Sequence, residues 1–97
     1  MKYTLLVKAE AIQDMTEAYE WYENKRSGLG TEFLDEIGEY FDRIIQNPEH
    51  YQTHRGQRVA VMNRFPYKIV YEAELETIVV YAIYHDKRDP ERLSERG

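Results

Sequence analysis

Residues 77–84 read Thr-Ile-Val-Val-Tyr-Ala-Ile-Tyr, and every position after the first is aliphatic or aromatic. β-Branched and aromatic side chains favour strands, and a short unbroken apolar run is typical of a strand buried on both faces. The preceding run, residues 67–72, places Tyr67, Ile69 and Tyr71 on one face by simple alternation. Because only a short Glu-Leu-Glu segment separates the two runs, they predict an antiparallel pair with residues 77–84 as the central strand.

Two further β-prone runs lie at residues 3–8 and 58–62, and the segment between them changes to a helical period. Apolar residues recur there at steps of three and four in two stretches, which predicts two amphipathic helices. The predicted core positions are Ile12, Met15, Tyr19 and Tyr22 in the first helix and Phe33, Ile37, Tyr40, Phe41 and Ile44 in the second.

Glycine and proline mark the helix boundaries. Gly28 and Gly30 separate the two stretches, because glycine at a helix end adopts left-handed backbone angles at low cost. Thr31 offers an N-cap hydroxyl for the second helix, and Pro48 disfavours helical geometry in the residue before it. The solvent-exposed face of the first helix is predicted to carry the acids Asp14, Glu17, Glu20 and Glu23.

The predicted order of elements is therefore β-α-α-β-β-β. Two helices joined by a short link form an antiparallel hairpin, and the apolar face of each helix requires a surface to pack on. The sequence predicts an α+β fold in which this helical hairpin packs on one face of a small, mainly antiparallel sheet. A length of 97 residues fits a single domain, residues 1–97.

Composition narrows the classes of function. The absence of cysteine excludes disulfides, thiolate metal sites and cysteine nucleophiles, and agrees with a cytoplasmic location. No apolar run approaches the roughly 20 residues of a membrane span, and no secretory signal is visible, so no membrane partner is expected. The formal charge of −5 is uneven, with −6 in residues 1–50 and +1 in residues 51–97. A surface for an anionic partner is therefore expected in the second half.

The histidines and carboxylates do not form a metal-binding pattern. His50 and His54 fall in a predicted loop rather than on one helix face, and no carboxylate stands at a ligand spacing beside them. The acids of the helices lie opposite the apolar stripes, which favours solvated surface charge over a catalytic pair. The sequence predicts no metal and no cofactor.

One cluster in the second half could carry chemistry. Lys68 alternates away from the apolar side of its strand, His85 follows the neighbouring strand, and Tyr84 is expected to be exposed at that strand's end. Arginine and lysine stabilise a transferring phosphate and histidine moves protons near neutral pH, so these groups could converge on the uncovered sheet face and cleave a phosphodiester. Ordinary solvated charges at a strand end are the alternative, and the residues alone favour it. The candidates are Lys68, His85 and Arg88 for catalysis and Arg58, Arg64, Tyr84 and Lys87 for target or RNA binding.

Several motifs follow one another in a fixed order. They are Glu20-Trp21-Tyr22-Glu23, Gly28-Leu29-Gly30 followed by Phe33-Leu34, Asn47-Pro48, Arg64-Phe65-Pro66-Tyr67-Lys68-Ile69-Val70-Tyr71, Ile78-Val79-Val80-Tyr81-Ala82-Ile83-Tyr84-His85 and Arg88-Asp89-Pro90. This ordered set resembles the RelE/ParE superfamily, the toxins of bacterial type II toxin–antitoxin modules. The resemblance covers nearly the whole chain and is greatest to the ParE-like, plasmid stabilization branch.

The resemblance implies a toxin that a co-expressed antitoxin holds inactive, with one of two modes of action. RelE-type members cut messenger RNA in the ribosomal A site without a metal, whereas ParE-type members inhibit DNA gyrase. By this resemblance Lys68 and Arg88 correspond to catalytic arginines of RelE-type enzymes, and His85 to a histidine that some nuclease members use.

Other positions depart from the nuclease pattern. Val59 and Val61 stand where RelE has lysines, and Ser94 where it has a catalytic tyrosine. These losses and the acidic charge favour a ParE-like toxin that acts by binding a target such as DNA gyrase. The alternatives are a RelE-like ribosome-dependent mRNA endonuclease and a degenerate, non-toxic antitoxin-binding module.

The expected partners follow from the same resemblance. They are a cognate antitoxin protein and, as the target, either DNA gyrase or the ribosome with its messenger RNA. The sheet's free face or the helical hairpin is expected to receive the antitoxin, which would add a helix or a strand there. The resemblance leaves open a homodimer or a toxin–antitoxin hetero-oligomer.

Overall fold

The protein's structure, a computed structural model, describes residues 3–86. These residues form two helices and five strands, which confirms the predicted α+β fold. The sequence did not indicate the second strand, which is short and polar and contains His54, a residue predicted to lie in a loop. The elements are β1 (Thr4–Val7), α1 (Ala9–Lys25), α2 (Leu29–Gln46), β2 (Gln52–His54), β3 (Gln57–Val61), β4 (Tyr67–Glu74) and β5 (Thr77–His85).

The five strands form one sheet in the order β1-β5-β4-β3-β2. Strand β1 pairs with β5 in parallel, and the other three pairings are antiparallel, so the predicted mainly antiparallel sheet is confirmed. Strand β5 lies between β1 and β4, which explains why its sequence is apolar on both faces. Helices α1 and α2 form the predicted hairpin on one face of this sheet.

A bulge interrupts the pairing of β4 with β5. Val70 pairs with Ala82, but Tyr71 pairs with Val80, so β5 has one extra residue at this point. An extra residue re-aims the side chains on one side of a bulge relative to those on the other. Side chains of β5 still alternate between the two faces of the sheet on each side of the bulge, but the order of the faces is reversed from the first half of the strand to its last residues.

Helix α1 is rotated relative to the predicted orientation, although Tyr22 is buried as predicted. Ile12, a predicted core residue, has 52% of its surface exposed. The predicted exposed position of Asp14 is wrong, because its side chain is buried and its Oδ2 accepts a hydrogen bond from the N–H of Ile83. Small side chains let α1 approach β5 closely on this face. The buried residues of α1 are Ala11, Asp14, Ala18 and Tyr22.

Helix α2 follows its predicted stripe, although it starts earlier than predicted. Gly28 is the N-cap residue, with a left-handed φ of 89°, and Thr31 is already inside the helix. The predicted core residues are buried except for Phe41, which is half-buried. The helix ends at the predicted place, with Asn47 as its C-cap. No helix within residues 3–86 is long and apolar enough to cross a membrane.

Aromatic rings fasten the hairpin to one end of the sheet. The ring of Phe33 lies 5.3 Å from that of Phe65 and 5.0 Å from that of Tyr67, measured between centroids. Tyr22 of α1 joins the same cluster, with its centroid 5.0 Å from that of Phe65. Aromatic pairs at these distances add to the stability that burial alone provides. The cluster thereby buries Phe65 and holds the 62–66 loop against the helical hairpin.

Candidate functional site

The sheet face opposite the helices, here named the free face, carries Lys68. Lys68 of β4 pairs with Val61 of β3 on one side and with Tyr84 of β5 on the other. Val70, Ala82 and Tyr84 form a buried cluster on this face, separate from the main core. The free face consists of Val59, Val61, Lys68, Val70, Ala82 and Tyr84.

Lys68 lies on the predicted face, but its charge is paired. Its Nζ lies 3.0 Å from the carboxylate Oδ1 of Asp86, and about a third of each side chain is accessible to solvent. An ammonium group held by a carboxylate has less charge to offer a phosphate, although an exposed pair of this kind is weak. Val59 and Val61 stand beside it on the free face, so no further cation strengthens its field from β3.

His85 lies on the opposite face of the sheet from Lys68. It pairs with Tyr67, whose side chain belongs to the core beneath the helices. The two rings meet edge to face, with centroids 5.1 Å apart. Because Tyr84 and not His85 is aligned with Lys68, the imidazole and the ammonium group do not share a surface. The predicted convergence of these two candidates is therefore not found.

Arg58 also lies on the helical face, where it anchors a loop. Its Nη1 donates hydrogen bonds to the carbonyl oxygens of Tyr51, at 2.9 Å, and Glu49, at 3.4 Å. Next to it, the hydroxyl of Tyr71 donates to the carbonyl oxygen of Pro48 at 2.6 Å. Burial raises the pKa of Tyr71 to about 12, and the nearby charge of Arg58 lowers it by a smaller amount. Arg58 therefore holds the chain between α2 and β2.

Arg64 fastens residues 62–66 to α2. Its Nη2 forms an ion pair with Glu32, and its backbone N–H donates to the carboxylate of Glu36 at 3.0 Å. Arg26 binds the second oxygen of Glu32 at 3.2 Å. Hydrogen bonds from Arg64 and then from Arg26 lower the pKa of Glu32. The guanidinium group of Arg64 thus joins the two parts of the chain and does not point towards Lys68.

Tyr84 is not exposed, contrary to the prediction. Only 2% of its surface is accessible, and it packs in the free-face cluster. The prediction that Tyr84 is an exposed binding residue is therefore wrong. Lys87 and Arg88, the other two candidates, lie outside the described residues, as does Ser94.

The described candidates do not form a single chemical centre. Phosphodiester cleavage needs a proton-transfer group and phosphate-stabilising cations that reach the same phosphate. Within residues 3–86 the candidate groups instead occupy the free face, the helical face and the 62–66 loop. In this arrangement Arg58 and Arg64 hold loops in place.

The structure also shows a feature that the sequence analysis missed, an apolar groove beside the hairpin. It has a volume of about 320 Å³, at the lower end of the range of small-molecule sites, and its lining is almost wholly apolar. The exposure of Ile12 and the half-burial of Tyr19 are signs of this groove, and the half-buried Met15 both lines it and packs against the core. The hairpin groove is lined by Val7, Ile12, Met15, Thr16, Tyr19 and Leu34.

Comparison with known proteins gives one family and one fold. Residues 5–90 match the family described as the ParE toxin of the type II toxin–antitoxin system, parDE. A solved structure described as the chromosomal ParDE TA system from P. aeruginosa is similar, with a TM-score of 0.76 over 87% of this chain and 96% of that chain. At 16% sequence identity this second match shows a shared fold. Among curated proteins, no sequence matches the chain significantly.

Proposed function

Because the chain belongs to the ParE toxin family of type II toxin–antitoxin systems, we propose that it inhibits growth by binding DNA gyrase and that it does not cut RNA. The family implies an antitoxin partner. We propose further that this antitoxin neutralises the toxin by binding it directly.

The placement of the candidate cations carries the proposal. Lys68 and His85 lie on opposite faces of the sheet, and Arg64 is engaged with α2. A metal-independent nuclease gains most of its rate from preorganised groups aimed at one reacting phosphate. The described residues of this chain supply no such set, whereas binding a protein target needs a surface and no reacting centre.

Charge supports the same conclusion. The chain carries a net −5, and residues 1–50 carry −6. Affinity for RNA depends on cations that neutralise phosphates, and an acidic protein approaches the ribosome against a repulsive field. Lys68, the one described cation that the RelE-type resemblance assigns to catalysis, is paired with Asp86.

Two assays on the same purified protein test the proposal. The first follows supercoiling of relaxed plasmid by DNA gyrase, and the second follows messenger RNA cleavage in a reconstituted translation system. We expect inhibition of supercoiling and intact message. His85→Ala and Arg88→Ala are assayed beside the wild type, because a nuclease that used these residues would lose cleavage in both variants. Circular dichroism would show that each variant remains folded.

The possible outcomes separate the candidate functions. Codon-positioned cuts that vanish in the two variants would make the protein a RelE-like endonuclease and overturn the proposal. A folded protein that leaves both gyrase and message untouched, yet binds its antitoxin, would be a non-toxic antitoxin-binding module. Inhibition of supercoiling that added antitoxin relieves would support the proposal in both of its parts.

A further inference from the structure

We propose that the β4–β5 turn, residues 75–76, is the part of this toxin that DNA gyrase binds, with Leu75 as an apolar anchor in a pocket rimmed by lysine or arginine. This inference rests on the proposed function, since it names the surface through which the toxin reaches its target. Its support comes from the exposure of Leu75, from the backbone conformation of the turn and from the charges on either side.

Leu75 is the most exposed large apolar side chain within residues 3–86, with 95% of its surface accessible. Burying it in a partner would remove nearly the whole side chain from water, which is how an apolar anchor contributes to affinity. A second exposed leucine lies at the same end of the sheet, because Leu6 of β1 is 54% exposed and pairs with Val79, the third residue of β5. Apolar surface is therefore present both at the turn and on the strands behind it.

The backbone of the turn strains the same residue. Single exposed apolar side chains are common on protein surfaces, but Leu75 also has a left-handed φ of 48°, as the first residue of a two-residue hairpin turn requires. Glycine, asparagine and aspartate adopt this conformation more readily than leucine does. Arg55 occupies the same place in the β2–β3 turn, with a φ of 54°, but its side chain suits solvent. Leucine at position 75 is thus unfavourable in two ways for the isolated fold, which points to a role in binding.

The turn is held in place by its neighbour β1. The N–H of Thr4 donates to the carbonyl oxygen of Glu76 at 2.8 Å, and Glu74 pairs with Thr77 to close the hairpin. A side chain presented from a fixed backbone loses less conformational freedom on binding than one on a mobile loop. Peptide segments bind in grooves and along sheet edges, whereas a fixed, protruding side chain requires a pocket. The complement of this turn is therefore a pocket on a folded protein.

Charge indicates the chemistry around that pocket. Glu74 and Glu76 are exposed on either side of Leu75, and within residues 3–86 neither forms an ion pair with lysine or arginine. Burial raises the pKa of Tyr81, and the negative charges of Glu72 and Glu74 raise it further, which shows a negative potential at this end of the sheet. Lysine or arginine on the rim of the pocket would complement these acids.

DNA gyrase meets this requirement better than a second copy of the chain does. Proteins that hold DNA neutralise its phosphates with lysine and arginine, so the proposed target carries cations of the required kind. A second copy has a net charge of −5, and its field would repel the acids of the turn.

Binding of purified gyrase to the immobilised toxin, beside the supercoiling assay, tests the anchor. We expect Leu75→Asn to raise the Kd for gyrase at least about ten-fold, and to melt no lower than the wild type, since asparagine tolerates the left-handed conformation. Leu75→Met keeps an apolar side chain of similar volume and should bind within about three-fold of the wild type. Val61→Ser is the matched control, because Val61 is 56% exposed and pairs with Lys68 at the other end of β4.

A charge pair tests the rim of the pocket. The double variant Glu74→Gln with Glu76→Gln should raise the Kd at low salt and flatten its dependence on salt concentration. The matched control, Glu10→Gln with Glu49→Gln, removes two exposed acids elsewhere and should leave both unchanged. Equal salt dependence in the two double variants would overturn the cationic rim.

The outcomes distinguish failure of this inference from failure of the proposed function. If the wild type binds gyrase and Leu75→Asn binds it equally well, the turn is overturned as the binding element and the target stands. Weaker antitoxin binding in Leu75→Asn, with unchanged gyrase binding, would assign the turn to the antitoxin and also overturn the inference. A wild-type toxin that neither binds nor inhibits gyrase would overturn the proposed function and this inference together.

Discussion

The Oδ2 atom of Asp14 accepts a hydrogen bond from the backbone N–H of Ile83 at 3.0 Å, in the buried interface between α1 and β5. Strand β1 pairs with β5 only as far as Val80, so the following residues of β5 have no strand on that side. Asp14 therefore supplies the acceptor that a longer β1 would have supplied. The bond joins positions that are 69 residues apart in the sequence.

Removal of this carboxylate should destabilise the fold. In Asp14→Ala, the buried N–H of Ile83 loses its partner, and we expect the free energy of unfolding to fall by about 1–3 kcal/mol. Asp14→Asn keeps an acceptor oxygen and should fall by less. Chemical denaturation measures both changes, with Glu17→Ala as the control on the exposed face of the same helix. A loss no larger than that of Glu17→Ala would contradict the assigned role.

The same relationship explains which part of α1 could not be predicted from the sequence. A hydrophobic pattern gives little weight to Ala11 and Ala18, yet these small residues allow the close packing against β5. A hydrophobic pattern also places a carboxylate such as Asp14 in solvent. Only the folded structure shows that the backbone N–H of Ile83, which has no strand beside it, needs this carboxylate as a hydrogen-bond acceptor. The larger residue Ile12 dominates the pattern and lies at the groove.

Four of the five strands, all but β2, and helix α2 could be predicted well because their signals are local. The long apolar run of β5 and the alternation of β4 depend on neighbouring residues only, and so does the stripe of α2. The candidate site depends instead on register and on the partners of each cation. The pairing of His85 with Tyr67, and the ion pair of Arg64 with Glu32, join distant positions that no spacing reveals.

Two glycines of α2 should respond in opposite directions to the same substitution. A Cβ atom at Gly30 would lie 2.6 Å from the carbonyl oxygen of Tyr19 in α1. Gly30→Ala should therefore destabilise the protein by about 1–3 kcal/mol. Gly38→Ala meets open space and should stabilise it by about 0.5–1 kcal/mol. Thermal unfolding of the two variants side by side measures the difference, and equal shifts would contradict the close contact.

Tyr71 should make stability depend on alkaline pH. Burial raises its pKa from 10.0 to about 12 in the folded state, so the folded protein retains a proton that the unfolded chain releases first. Its contribution to stability is complete below pH 10 and is lost as the pH rises from 10 to about 12. In Tyr71→Phe the fall in unfolding free energy over this interval should be shallower. An identical slope in both proteins would show that the phenol ionises freely in the fold.

The ion pair of Glu32 with Arg64 should protect the 62–66 loop from proteolysis. Glu32→Gln weakens the hold on Arg64, so trypsin should cleave after Arg64 faster than in the wild type. The hydrogen-bonded guanidinium groups lower the pKa of Glu32, so this protection is present at neutral pH and is lost as the pH falls through that lowered pKa. Glu39→Gln breaks the pair with Arg43 in the same helix and should leave cleavage at Arg64 unchanged. Equal protection in both variants would mean that the aromatic cluster alone fixes the loop.

The pair of Lys68 with Asp86 offers a sharp functional test, because the two modes of action predict different outcomes when it is broken. If the toxin acts by binding, Lys68→Met and Asp86→Asn should each inhibit growth within about five-fold of the wild type, since an exposed pair is worth about 1 kcal/mol or less. A nuclease that used this cation would lose activity in Lys68→Met. It would gain activity in Asp86→Asn, because the ammonium group would then be released to a phosphate. Induction of each variant in growing cells, with protein levels matched, measures the effect. Opposite changes in the two variants would contradict action by binding and identify Lys68 as part of a reacting centre.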